Sequence, residues 1–123
     1  MGLTRMIEIE VGNPANPKIT KKVEFLLDTG AIRSVVPKAI LKDLGIKPET
    51  EKGFRLYDSS KVLRKKGIAL FRFKKKTVKT QVIFGEPGDL TIIGAVTLQS
   101  FGLFLHPLSR ELKPIKPQNK AKS

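Results

Sequence analysis

Asp28 is the residue in this chain whose type and setting best suit it to chemistry. It closes the apolar run Phe25-Leu26-Leu27, precedes Thr29-Gly30-Ala31, and is followed a few residues later by Val35-Val36. A carboxylate set between two apolar strands gives up hydration, which is costly unless hydrogen bonds or charges compensate, so its presence there needs a reason. Asp-x-Gly is also an ordinary turn, and those three residues alone carry little information. Other catalytic schemes find less support. His106 is the only histidine and stands before Pro107, and none of Ser34, Ser59, Ser60 and Ser100 lies in a Gly-x-Ser-x-Gly setting, so a serine triad is not assembled. One histidine, no cysteine and scattered acids supply no metal-ligand set, and neither a metal nor a cofactor is expected.

Positioning Asp28 falls to a chain dominated by period-two patterns. Ile7, Ile9 and Val11 alternate in the first strand, "GNPANP" turns, and Ile19, Val23, Phe25 and Leu27 alternate inward in the second, a β-hairpin that delivers the chain to Asp28. "PKAILKDLG" reads as a short helix with Pro37 near its start, Ile40, Leu41 and Leu44 on one face, and Gly45 as its stop. A hairpin with its tip at Asp58-Ser59-Ser60 follows, then a second hairpin turning at Lys75-Lys76. After the loop "GEPGD" come a short buried strand at Ile92-Ile93, a second short helix ended by Gly102, and a final strand or two. Residues 1–115 are expected to form one domain, and the basic stretch 116–123 a disordered tail.

The chain also echoes itself. Leu26-Leu27 followed by Gly30-Ala31 is matched by Ile92-Ile93 followed by Gly94-Ala95, and Leu41, Leu44, Gly45 and Ile46 are matched by Leu98, Phe101, Gly102 and Leu103. Each half is therefore an apolar strand, a Gly-Ala turn, a short helix, a glycine stop and an apolar strand. Only the first half carries an acid at the turn.

Composition sets outer bounds. A chain of 123 residues is about one domain long, enough for one modest core. No apolar run approaches the roughly 18 residues of a membrane span, and the N-terminus shows neither a signal-peptide core nor a myristoylation pattern, which points to a cytoplasmic protein with no membrane partner. The formal net charge of +13 is concentrated between Ser59 and Gly85, a stretch without a single acid. Such a stretch suits nucleic acid or another anionic surface, but no recognised binding motif is interleaved with the charge, and solvated lysines that guard a sheet edge explain it more simply.

Asp28-Thr29-Gly30-Ala31 after an apolar run, with Ile92-Ile93-Gly94 and a helix at the corresponding place in the second half, resembles the retropepsin-like (retroviral-type) aspartic proteases, most closely the small single-domain members from prokaryotes. The resemblance spans roughly Met6 to Pro114. It implies a mainly β, single-domain acid-protease barrel with one or two short helices, acting as a homodimer. It also implies an aspartic endopeptidase acting on an extended peptide or unfolded protein. Hydrolysis without a metal or covalent nucleophile needs one carboxylate to take a proton from water and a second carboxylic acid to polarise the scissile carbonyl. Only one suitable Asp exists here, since Asp43 lies on a helix, Asp58 at a hairpin tip and Asp89 in a polar loop. The second must come from another copy across a two-fold axis.

Carried over by position, Asp28 is the catalytic acid/base, Thr29 braces the partner's loop, and Gly30 and Ala31 complete a turn whose N–H groups face the carboxylates. Ile92, Ile93 and Gly94 pack beneath that loop, and the hairpin at Tyr57, Asp58, Ser59 and Ser60 is the flap over the substrate. The chain departs from the pattern at Ile32 and Arg33, where relatives carry small polar or acidic residues, and at the flap tip, which lacks glycine. Arg33 either points to solvent or lies close enough to favour the ionised carboxylates. A lone subunit is expected to leave the apolar floor around Leu27 and Ile93 half-covered.

Overall fold

Alternation at the N-terminus produces the first hairpin. The computed structural model describes residues 5–28, 30–55 and 61–115. Strand β1 (Arg5–Asn13) pairs antiparallel with β2 (Asn16–Leu27), from Arg5 opposite Leu27 to Gly12 opposite Thr20. Ile9, Val11, Val23, Phe25 and Leu27 are buried, as the pattern requires. Ile19 is not: it is 58% exposed. The register jumps between Gly12 and Asn13, so Pro17, Lys18 and Ile19 fall outside the ladder and Ile19 is carried off the core.

Strand β3 (Ser34–Pro37) runs directly into helix α1 (Lys38–Asp43), with Leu41 buried and Leu44 just beyond the last turn. Beyond it, β4 (Thr50–Arg55) pairs with β5 (Lys61–Phe73), and β5 pairs in turn with β6 (Lys76–Gly85). Where the sequence reads as two separate hairpins, the structure has one continuous strand, β5, shared by both. The β5–β6 turn also sits one residue earlier than expected. Phe73 pairs with Lys76, and Lys74 and Lys75 form the turn at φ 50° and 68°. Strand β7 (Ile92–Ile93), helix α2 (Ala95–Ser100) and a small β8–β9 hairpin (Leu103–Leu105, Leu112–Pro114) complete the chain.

The main sheet has the order β1-β2-β7-β3-β6-β5-β4, and β1 pairs again with β5 at Val11 opposite Phe71. That extra pairing closes β1, β2, β7, β3, β6 and β5 into a barrel and leaves β4 outside on β5. Phe25 and Phe71 meet inside it with ring centres 6.2 Å apart. Among the described residues no helix is long and apolar enough to cross a membrane.

The internal echo is physical. Leu26-Leu27 and Ile92-Ile93 pair with each other in parallel, in the register that the sequence match suggests. Both helices end alike: Leu44 (φ −83°, ψ −1°) precedes Gly45 at φ +77°, and Phe101 (φ −83°, ψ −2°) precedes Gly102 at φ +77°. The left-handed step is one that glycine takes without steric penalty, and it ends the helix. In each case a side chain from the sheet takes the last carbonyl: Asn13 Nδ2 donates to Leu44 O (3.1 Å) and Lys76 Nζ to Phe101 O (3.3 Å).

Candidate active site

Strand β7 lies between β2 and β3, parallel to the first at Leu26-Leu27 and antiparallel to the second at Val35. The connection from residue 28 to residue 33 must therefore cross the end of β7, and this crossing carries Asp28. It is pinned from beneath by the start of α2, where Ala95 N donates to Ala31 O (3.0 Å) and Val96 N to Ile32 O (3.0 Å). Gly94 sits at the crossing, where a Cβ would run into the backbone of Ile32 and Arg33, so only glycine fits. Ile92 and Ile93 are fully buried below. The structure thus brings Asp28, Gly30 and Ala31 together with Ile92, Ile93 and Gly94, the two groups of residues that the sequence places on matching turns.

Asp28 is half-buried, and its Oδ1 accepts a hydrogen bond from Gly30 N–H at 2.9 Å. Ala31 N approaches Asp28 O at 3.3 Å, closing the turn. Among the described residues, a Cβ at Gly30 would meet Asp28 Oδ1 at 3.5 Å, an ordinary contact. Within a single chain the site therefore uses the N–H of Gly30. A small pocket of about 140 Å³ opens beside Asp28, lined by Ala95, Leu98 and Gln99 of α2 and by Leu103, Phe104 and Leu105 of β8. Asp28 is the only acid among the described residues of that lining.

Arg33 is half-buried, and its Nε donates to Gln81 Oε1 (3.2 Å) on the adjacent strand β6. Ile32 is 63% exposed. The floor expected to lie half-covered is already closed within one chain, with Leu27 at 6% exposure and Ile93 at 0%, because β7 and α2 cover it. The exposed apolar residues at this end are Ile32, Val96 and Phe104. Thr29 and the flap residues Tyr57, Asp58, Ser59 and Ser60 lie outside the described residues, as does the tail 116–123.

Sequence reasoning passed over one pair. Ser34 Oγ accepts the Gly94 N–H (2.8 Å) and shares a hydrogen bond with Thr97 Oγ1 (2.7 Å), and both side chains are fully buried. The available signal was a small hydroxyl in each of two apolar stretches, "SVVP" and "AVTL", that follow the two matching turns. A second structural pair secures the loop before β7. Arg64 holds Asp89 in a two-pronged contact (Nε to Oδ2 2.7 Å, the second prong to Oδ1 2.8 Å), and Asp89 Oδ2 also accepts Glu86 N–H (2.7 Å). Chiefly through the Arg64 hydrogen bond, and against the opposing effect of burial, the Asp89 carboxyl titrates below its ordinary value of 3.8.

No protein-family model and no curated protein sequence matches the chain. Solved structures do. The protease of EIAV, complexed with the inhibitor HBY-793, aligns with a TM-score of 0.61 and 21% identity over 83% of this chain and 91% of its own. A foamy viral protease-reverse transcriptase in complex with double-stranded DNA aligns with a TM-score of 0.52 and 21% identity, over 75% of this chain and 14% of that larger one. A retropepsin-like aspartic protease from Rickettsia conorii aligns with a TM-score of 0.48 and 21% identity, over 86% of this chain and 90% of its own. With the mainly β barrel and its two short helices, the first two likenesses define the class: this chain has the retropepsin-like fold.

Proposed function

We propose that the protein is an aspartic endopeptidase that works as a symmetric homodimer, hydrolysing peptide bonds with a water held between two Asp28 carboxyls, one from each subunit. The observation that carries this reading is the placement of Asp28. Its carboxylate is half-buried on a pinned crossing loop, bonded to Gly30 N–H, and stands beside an apolar pocket in which it is the only acid among the described residues. The fold it shares with the EIAV protease supports the reading.

Two carboxyls brought to about 3 Å cannot both ionise, so they share one proton. The ionised member takes a proton from the bound water while the neutral member donates a hydrogen bond to the scissile carbonyl. The same groups then pass a proton to the leaving amine. Gly30 N–H fixes the orientation of its own carboxylate, while Ile92, Ile93, Gly94 and Ser34 hold the loop from below. Thr29 braces the partner's loop. The β4–β5 hairpin, through Tyr57 to Ser60, closes over a substrate that binds in extended form. The catalytic unit is residues 1–115, and 116–123 are an appendage to it.

Asp28→Asn tests this directly. The amide keeps the shape but cannot act as base, so cleavage of an unfolded protein should fall by at least about a hundredfold, while mass and circular dichroism stay those of the wild type. Wild-type activity should peak on the acidic side of neutrality, where each pair retains one proton. If the variant folds, dimerises and cleaves at the wild-type rate, this mechanism is wrong, and a basic binding module on the same fold becomes the better reading.

A further inference from the structure

A second and larger concavity, about 680 Å³, shares no residue with the Asp28 pocket. One wall is the outer face of α1 with Lys38, Ala39 and Lys42; the segment after Gly45 supplies Lys47, and β5 supplies Lys65. The floor is apolar, made of Ile46, Pro48 and Phe84. Among the described residues Glu86 is the only acid in the lining, and it is already held by Lys38 (2.6 Å). Three lysines beyond that pair therefore surround one apolar depression. Like charges around a concave, low-dielectric floor repel one another and focus a positive potential into it, a cost that an anionic occupant removes.

The chemistry of the lining narrows the occupant. The volume falls within the range of roughly 300–1,000 Å³ typical of ligand sites, too large to be filled by a small anion. Nucleic acid fits poorly: Phe84 is 95% covered and offers no face for a base, and the lysines encircle a depression instead of tracking along a backbone path. Charge at the rim with apolar surface at the floor matches an acidic peptide that carries an apolar anchor. We propose that this cleft docks an acidic, extended segment of a partner protein, which seats one or two apolar side chains against the exposed Ala39 and Pro48 and sets Asp or Glu against Lys42, Lys47 and Lys65. The site does not depend on Asp28 and stands apart from the peptidase reading.

The probe is a fluorescently labelled peptide with a Leu-Phe centre flanked on both sides by Glu and Asp, followed by anisotropy at low salt. A matched peptide with Ser-Ser at its centre, a poly-Glu peptide and a single-stranded oligonucleotide serve as comparisons. The Leu-Phe peptide should bind about tenfold more tightly than the Ser-Ser one. The combined variant Lys42→Glu, Lys47→Glu and Lys65→Glu should weaken that binding about tenfold or more. Ala39→Trp keeps every charge but fills the cleft from an exposed helix position, so it should weaken the Leu-Phe peptide about tenfold and leave poly-Glu unchanged. It decides the matter if the triple variant fails to fold. Lys74→Gln with Lys75→Gln, on a different turn, should change nothing. The proposal is overturned if no peptide binds, if the two centres bind alike, if Ala39→Trp has no effect, if the Lys74 and Lys75 variant weakens binding as much as the triple one, or if the oligonucleotide competes for the cleft.

Discussion

Ser34 shows how one hydroxyl can hold a loop that carries chemistry. It accepts the Gly94 N–H and meets Thr97, so removing it strands two buried polar groups at once. Ser34→Ala should cost about 1–3 kcal/mol in urea unfolding, and adding Thr97→Val should cost less than the sum of the two single changes, because the second removes one of the stranded groups. Additive costs would show that the two hydroxyls act separately. Asp89 gives a pH signature. Its folded-state carboxyl titrates below the ordinary value, so its contribution to stability is complete above that value and is lost as the pH falls through the folded one. The stability difference between wild type and Asp89→Asn should therefore shrink on going from about pH 5 to about pH 3; a constant difference would assign the effect to packing alone. Asp28 was legible from sequence because a carboxylate between apolar strands is conspicuous. Ser34 was not, because nothing local tells a serine in an apolar run that its partner stands 63 residues away.

Among the elements, the local ones were readable and the non-local ones were not. The first hairpin, both helices and their glycine stops follow from periodicity and turn chemistry, and the two halves match in structure as they do in sequence. The continuity of β5, the parallel pairing of β3 with β6 and the closure of β1 on β5 depend on partners far along the chain, which a short-range pattern does not encode. Ile19 was misplaced for a related reason, since a register jump interrupts an alternation that looks regular. The β5–β6 turn carries a second lesson. Two-residue hairpin turns with both central residues at positive φ favour Asn-Gly, yet Lys74 and Lys75 occupy them. Replacing the pair by Asn-Gly should raise stability by about 1 kcal/mol through relieved backbone strain, read as a higher midpoint in thermal melting. A lower midpoint would mean that lysine contacts, such as Lys74 Nζ over the Phe73 ring at 5.5 Å, outweigh the strain.

At the scale of the whole molecule, the proposed dimer rests on exposed apolar surface beside Asp28, and the relevant residues differ from those the sequence suggested. Leu27 and Ile93 are sealed by their own chain, whereas Ile32, Val96 and Phe104 remain open to a second copy. Sedimentation at micromolar concentration should give about twice the chain mass, and Phe104→Glu should return it to one chain while leaving the fold intact. A wild type that is active and strictly monomeric would overturn the dimer. The insertion of β7 between β2 and β3 also sets an order of events. The hairpins join neighbouring stretches of chain and can form early, but the loop bearing Asp28 is pinned by Ile92, Ile93, Ala95 and Val96, which lie far along the chain from it. Closing so long a loop comes late because its entropy must be met before any contact rewards it. A nascent chain thus carries its carboxylate on a loop that has nothing to rest on until β7 and α2 have been made.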